Sequence, residues 1–298
     1  MLAPGKLVHL AVQSFKAWSD DYAPSMGAAI SYYTVFSLAP LLVIVIAIAG
    51  AAFGREAVQG LISDQLAGLV GPQGAEMVEG LVASASDTDR GLIAGAISIV
   101  VLMVGATTVF AELQSALDRI WKVPAAKKPS GIAGLLRARL LSFGLILGVA
   151  FLLMVSLVVS AGLAAFGAWA GALMPGWEVL LQVLNTLVSL AILSVLFALI
   201  FKYMPSTPVA WRDVRVGAVV TAVLFEVGKV AIGLYLGKSG MSESFQAAGA
   251  IVLLLAWVYY AAQIFLLGAE FTRAYADAHG SLSAARRTAP ENPTKATA

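Results

Sequence analysis

The sequence predicts an all-α polytopic integral membrane protein with six transmembrane helices, an N-terminal interfacial helix and a helical extracytoplasmic loop. Three observations predict it. Of 298 residues, 60% are hydrophobic and only 12% charged, with a mean hydropathy of +0.88, whereas a soluble domain carries about 25% charged residues. Apolar stretches long enough to cross a bilayer, about 20 residues at about 1.5 Å rise each, recur along the chain. Lys and Arg collect in alternate connecting segments.

Taking the elements in order, residues 1–27 carry Leu7, Leu10, Val12, Phe15 and Trp18 at helical spacing, with two Lys and no small-residue cleavage site. This pattern predicts an amphipathic helix at the membrane interface, not a removed signal peptide. The first span, 28–53, is free of charge and has Pro40 as a kink. Residues 54–91 form the one sizeable outer segment. Val58, Leu61, Ile62, Leu66 and Leu69 fall on one helical face, Met77, Val78, Leu81 and Val82 suggest a second helix, and carboxylates outnumber Arg55 and Arg90.

The second span is 92–111, continuing into ELQSALDRIWKVPAAKKP, an amphipathic elbow that ends at Pro124. The third is 140–160, followed by a Gly/Ala-rich turn at the far interface. The fourth, fifth and sixth are 179–201, 214–237 and 245–268. Residues 271–298 form a tail, disordered at its end by composition. With the N-terminus inside, fifteen Lys and Arg lie in inner segments and only Arg55, Arg90 and Lys238 in outer ones. The positive-inside rule therefore places both termini in the cytoplasm.

A few polar residues interrupt this apolar frame. Glu226 lies near the middle of the fifth span with Lys229 one turn further on, and each charge at that depth costs roughly 3 kcal/mol. Their i,i+3 spacing puts them on one face, where they can pair. Two readings stay open: a polar site that meets an anionic headgroup at Lys229, and a self-neutralising pair that fixes helix register. Gln182 and Asn185 in the fourth span and Gln263 in the sixth converge with the pair if the spans enclose a cavity, or else bridge helices. Glu270, near the inner interface, is expected to pair with Arg273. Tyr32, Tyr33 and Ser37, with Ser31 and Thr34, make the start of the first span rich in hydroxyls. Gly233 and Gly237 close a G-x-x-x-G pattern that favours close helix packing.

No Cys is present, and the two histidines, His9 and His279, lie near opposite ends of the chain. No cluster of metal ligands, phosphate-binding loop, nucleophile elbow or dinucleotide fingerprint occurs. The reading is therefore of a non-enzyme with no cofactor, no metal and no catalytic residue. The basic inner loops follow from topology, so no nucleic-acid partner is expected.

AAISYYTVFSLAPLL in the first span, ALDRIWKV after the second, FKYMP with WRDVRVGAVVTAVLFEVGKVAIGLYLG, and AAGAIVLLLAWVYYAAQIFLLGAEFTRAYA occur in this order. Together they resemble the YihY/BrkB family of bacterial inner-membrane proteins over roughly residues 10–280. The chain departs at Phe245-Gln246, where the family carries an aromatic–Gly pair. The resemblance implies a six-helix fold with cytoplasmic termini, a virulence-factor label, transporter-like members that handle envelope lipids, and an older label as ribonuclease BN. The expectation is an inner-membrane, transporter-like protein whose partners are the bilayer and an anionic envelope lipid. The alternatives are a non-transporting scaffold of the envelope and, disfavoured for want of a ligand cluster, a membrane-associated ribonuclease.

Overall fold

A computed structural model describes residues 4–36, 108–124, 177–238 and 249–283, with residues 54, 56, 59–60, 62–63, 76, 79–80 and 162. The expected third span, most of the first (with Ser37 and Pro40) and of the second, and residues 284–298 of the tail lie outside the described residues. Among the described residues every regular element is a helix. Four long ones are α1 (Pro4–Asp20), α2 (Trp177–Tyr203), α3 (Trp211–Lys238) and α4 (Gly249–Ala278). Residues 23–36 and 108–120 are also helical, as are the described positions 56, 59–60, 62–63, 76 and 79–80 of the outer segment.

Two stretches are long and apolar enough to cross a membrane, Leu180–Tyr203 with a mean hydropathy of 2.5 and Leu254–Ser283 with 1.4. The first is rich in leucine, valine and isoleucine. Its hydroxyls turn back on their own helix, Thr186 donating to the Gln182 carbonyl at 2.9 Å and Ser194 to that of Leu190 at 2.7 Å. These two hydroxyls are thereby satisfied where lipid offers no acceptor. Leu180, Val183, Leu187 and Val195 point outwards, as a lipid-facing side requires. The second stretch is longer than a crossing needs. At 30 residues α4 extends about 45 Å, against about 30 Å of hydrocarbon. Its charges, Glu270, Arg273 and Asp277, all follow Gly268, so the uncharged part of the helix ends there.

The chain divides into two compact units. The first comprises Met1–Asp21, Leu117–Val223 and Leu267–Ala298. Here α3 and α4 run antiparallel, shown by three contacts in reverse register. Asp213 meets Gly280 and Ser281, Gly217 meets Thr272, and Thr221 meets Gly268. A Cβ on Gly217 or Gly268 would occupy the space of the opposing threonine. Each threonine hydroxyl donates 2.7 Å to a carbonyl of its own helix, Thr221 to Gly217 and Thr272 to Gly268. The two helices thus approach closely without exposing a polar group.

The ends of these helices are tied by side chains. Asp213, fully buried in the first turn of α3, accepts from the Ser281 amide at 3.2 Å and hydroxyl at 2.6 Å. Arg212 donates to the His279 carbonyl at 3.1 Å. Lys202, in the last turn of α2, donates to the Val209 carbonyl and lies 5.8 Å from the Trp211 ring centre. The 108–120 helix closes through amide bonds from Val123 to Asp118 and from Lys122 to Arg119, both 2.9 Å. This Schellman closure puts Lys122 at φ 48°, a left-handed position usually held by glycine. Leu117, Ile120, Phe201 and Val214 are buried behind it.

On α1 the apolar residues split between two sides. Leu10 and Ser14 are buried, whereas Val8, Val12 and Phe15 are more than 60% exposed. The single apolar face expected from the sequence is therefore two, an inner one against protein and an outer one suited to lipid.

The second unit comprises Tyr22–Ala116 and Leu224–Leu266. Within it Gly228 of α3 packs against Tyr260 and Ile264 of α4, and Phe225 meets Trp257 edge-to-face at 6.2 Å. Gly27 lies against the Gln263 amide.

Candidate functional site

α3 stays helical straight through its two central charges, because the lysine lies one turn beyond the glutamate and can reach back. Lys229 Nζ lies 2.7 Å from Glu226 Oε1. The contact leaves the two side chains 41% and 25% exposed, lysine first. The other carboxylate oxygen, Glu226 Oε2, is buried and has no hydrogen-bond partner. The pair therefore neutralises its charge but not its hydrogen-bonding capacity. Gly228, between the two, is held by Tyr260 and Ile264, which anchors this turn of α3 against α4.

Gln263 belongs to the same unit, and both polar atoms of its amide are buried without a partner. An amide left in this state costs about 1–3 kcal/mol or more. The first-span hydroxyls behave differently. Ser31 donates to the Ala28 carbonyl at 2.9 Å and Thr34 to that of Ile30 at 2.7 Å, so both are satisfied within their own helix. Tyr32 is 54% exposed and packs its ring on Tyr33 and Phe36 at 5.4 and 4.7 Å.

Gln182 and Asn185 fall in the first unit, on α2. Gln182 is exposed, and Asn185 is half-buried with a partner of its own. Their convergence with the charged pair is not a contact that either unit contains. Gly233 and Gly237 lie in the helical C-terminal part of α3. Ser37 and Pro40 lie outside the described residues. The close glycine contacts that are described fall at Gly27, Gly217, Gly228, Gly268 and Gly280.

A second polar centre, in the first unit, was not singled out by sequence. A cavity of about 410 Å³ is lined by Gln13, Ala17 and Asp21 of the N-terminal segment, Lys122, and Glu270, Arg273 and Asp277 of α4. Glu270 is only 2% exposed, and its Oε1 has no hydrogen-bond partner. Burial pushes its carboxyl from the ordinary 4.5 up to about 8. The charge of Asp21 and a carboxyl–carboxyl hydrogen bond with it push the same way, against the weaker pull of Arg273 and Lys122.

The expected Glu270–Arg273 ion pair does not form. Arg273 instead reaches Asp277, one turn on, at 3.6 Å and donates to the Ile120 carbonyl. Its guanidinium is drawn to the C-terminal end of the 108–120 helix, where the last carbonyls lack intrahelical partners. The partners of Glu270 stand far away in the chain, and no spacing in the sequence announces them.

Comparison with known proteins agrees with the apolar helices. The virulence factor BrkB family model matches residues 14–293. A UPF0761 membrane protein of Teredinibacter turnerae is 28% identical over 278 residues, covering 92% of this chain and 61% of its own length. UPF0761 membrane proteins of Verminephrobacter eiseniae and Pseudomonas aeruginosa are 30% identical over 257 and 255 residues, covering 85% and 84% of this chain and 58% of theirs. The chain thus spans about three-fifths of the length of these relatives. No solved structure matches it. With a family match over nearly its whole length and bacterial relatives that are all membrane proteins, the chain is a membrane protein and belongs to the virulence factor BrkB family.

Proposed function

We propose that this is a six-span protein of the bacterial inner membrane, with cytoplasmic termini, that acts as a transporter for an envelope lipid or another amphipathic anion. The Glu226–Lys229 pair is its central polar site. The observation that carries this reading is the buried, unpartnered Glu226 Oε2 beside a lysine that keeps 41% of its side chain exposed. A pair kept only for packing gains by satisfying every lone pair, because a half-satisfied buried network is worse than an apolar one. Here one carboxylate oxygen and the ammonium face of Lys229 are left for a passing polar group. An anionic headgroup would take the lysine donors, and its hydroxyl or water shell would take Oε2. The unpartnered Gln263 amide supports a polar path in the same unit.

Native mass spectrometry of gently extracted protein tests this, comparing wild type with the Glu226→Gln, Lys229→Met double variant. A specific anionic lipid retained by wild type and lost from the folded variant is the expected result. If neither form retains one and the variant is equally stable or more so, the pair is a packing device and the transport reading fails.

A further inference from the structure

The cavity beside Glu270 offers two chemistries side by side. Asp21 and Glu270 bring two carboxyls together, one at the end of α1 and one on α4, and Lys122 contributes a cation from the turn after residue 120. Arg273 is already occupied by Asp277 and the Ile120 carbonyl, so it is a fixed counter-charge to the other acid in the lining. What remains unmet is Glu270 Oε1, on a side chain 98% removed from solvent, at the cavity wall. A buried carboxyl beside a second carboxyl is satisfied better by a group carrying several N–H donors and a positive charge. Lys122 adds a place for an anion on the same small ligand, and a cavity of about 410 Å³ lies within the range of small-molecule pockets. The outer face of α1, with Val8, Val12 and Phe15 exposed, lies on the same helix as Gln13 and Ala17 of the lining. A ligand head in the cavity would therefore have an apolar, lipid-suited surface within reach.

We propose that this cavity binds an ammonium-bearing phosphate zwitterion of the phosphoethanolamine type, its ammonium between Asp21 and Glu270 and its phosphate against Lys122. On binding, Glu270 gives up its proton to solvent and the ligand ammonium takes that proton's place between the carboxylates, so one proton is released for each ligand bound. The groups that set this exchange are Asp21 from α1, Lys122 from the turn, and Arg273 and Asp277 on α4 itself. The site does not depend on the proposed role of Glu226 and Lys229.

Isothermal titration of the full chain in detergent at pH 7, in two buffers of different ionisation heat, tests it. The probes are short-chain phosphatidylethanolamine, short-chain phosphatidylglycerol and free phosphoethanolamine. The ethanolamine lipid is expected to bind at least about tenfold more tightly than the glycerol lipid, on the scale of a charge-assisted hydrogen bond, with release of close to one proton. Glu270→Gln and Asp21→Asn should each weaken binding about tenfold, and Glu270→Gln should abolish proton release, whereas Glu226→Gln, Lys229→Met should change neither. Should Glu270→Gln fail to fold, wild-type affinity must still rise about tenfold per pH unit up to about pH 8. Free phosphoethanolamine binding as well as the lipid assigns a soluble ligand; binding of the lipid alone assigns a membrane headgroup. Equal affinity for the two lipids, or binding without proton release, overturns the proposal, whatever the Glu226 and Lys229 variant does.

Discussion

Asp118 holds Ser206 by both ends of its carboxylate, Oδ1 accepting the Ser206 amide and Oδ2 its hydroxyl, each at 2.7 Å. The aspartate is 4% exposed at the end of the 108–120 helix, and the serine lies in the connector between α2 and α3. Hydrogen bonds to a charged group are worth about 1.5–3 kcal/mol each, and an abandoned buried donor adds its own cost. Asp118→Ala should therefore lower unfolding stability in detergent by about 2–4 kcal/mol. Ser206→Ala should lose only about 1 kcal/mol, since the amide bond survives. Denaturant titration of the three proteins measures both, and equal losses would mean that the carboxylate is not the anchor.

The α3–α4 contact makes a prediction through its reverse register. Gly217 opposes Thr272, and Thr221 opposes Gly268, so any Cβ added to either glycine collides with a branched side chain. Overpacking of this kind costs roughly 1–3 kcal/mol. Gly217→Ala should destabilise by that amount, and Thr272→Ala added to it should restore only part of the loss, since it removes Oγ1 and Cγ2 but leaves the residue 272 Cβ against the new methyl. Thr272→Ala alone should be mildly destabilising. A double-mutant cycle with a coupling near zero would show that the two positions do not touch.

Some of these relationships were legible in the sequence and some were not, for identifiable reasons. The Glu226–Lys229 pair follows from i,i+3 spacing on a helix, and the structure forms it at 2.7 Å. The starts and ends of α2 and α3 fall within three residues of the expected apolar spans, since hydropathy and helicity stop together there. For α4 they do not. Hydropathy ends at Gly268, but the helix continues to Ala278 because its last turns pack on protein through Thr272 and Ala276. The hydroxyls of Ser31 and Thr34 suggested a polar path, yet an i−3 or i−4 carbonyl is always within reach in a helix and took them both. Nothing in the sequence singles out Asp118 or Asp213, and Glu270 reads there as a partner of Arg273, because the groups these acids meet stand scores of residues away.

Glu270 makes the fold sensitive to pH in a direction that can be worked out. Its carboxyl, facing Asp21, Lys122, Arg273 and Asp277, is raised from 4.5 to about 8, chiefly by burial. The folded chain therefore holds this proton more tightly than the unfolded one. Its contribution is fully present below about pH 4.5, declines as pH rises, and is gone above about pH 8, with a slope of at most about 1.4 kcal/mol per pH unit. Glu270→Gln keeps a neutral hydrogen-bond donor at every pH. Wild type and variant should thus melt close together at pH 5, and the variant should melt progressively higher than wild type as pH rises to 8. Above that the gap should stay constant. Any pH dependence owed to groups away from this cavity would persist in the variant and cancel in the difference. Melting curves that remain parallel from pH 5 to 8 would mean that Glu270 is already ionised in the fold, with a cation provided for it from elsewhere in the lining.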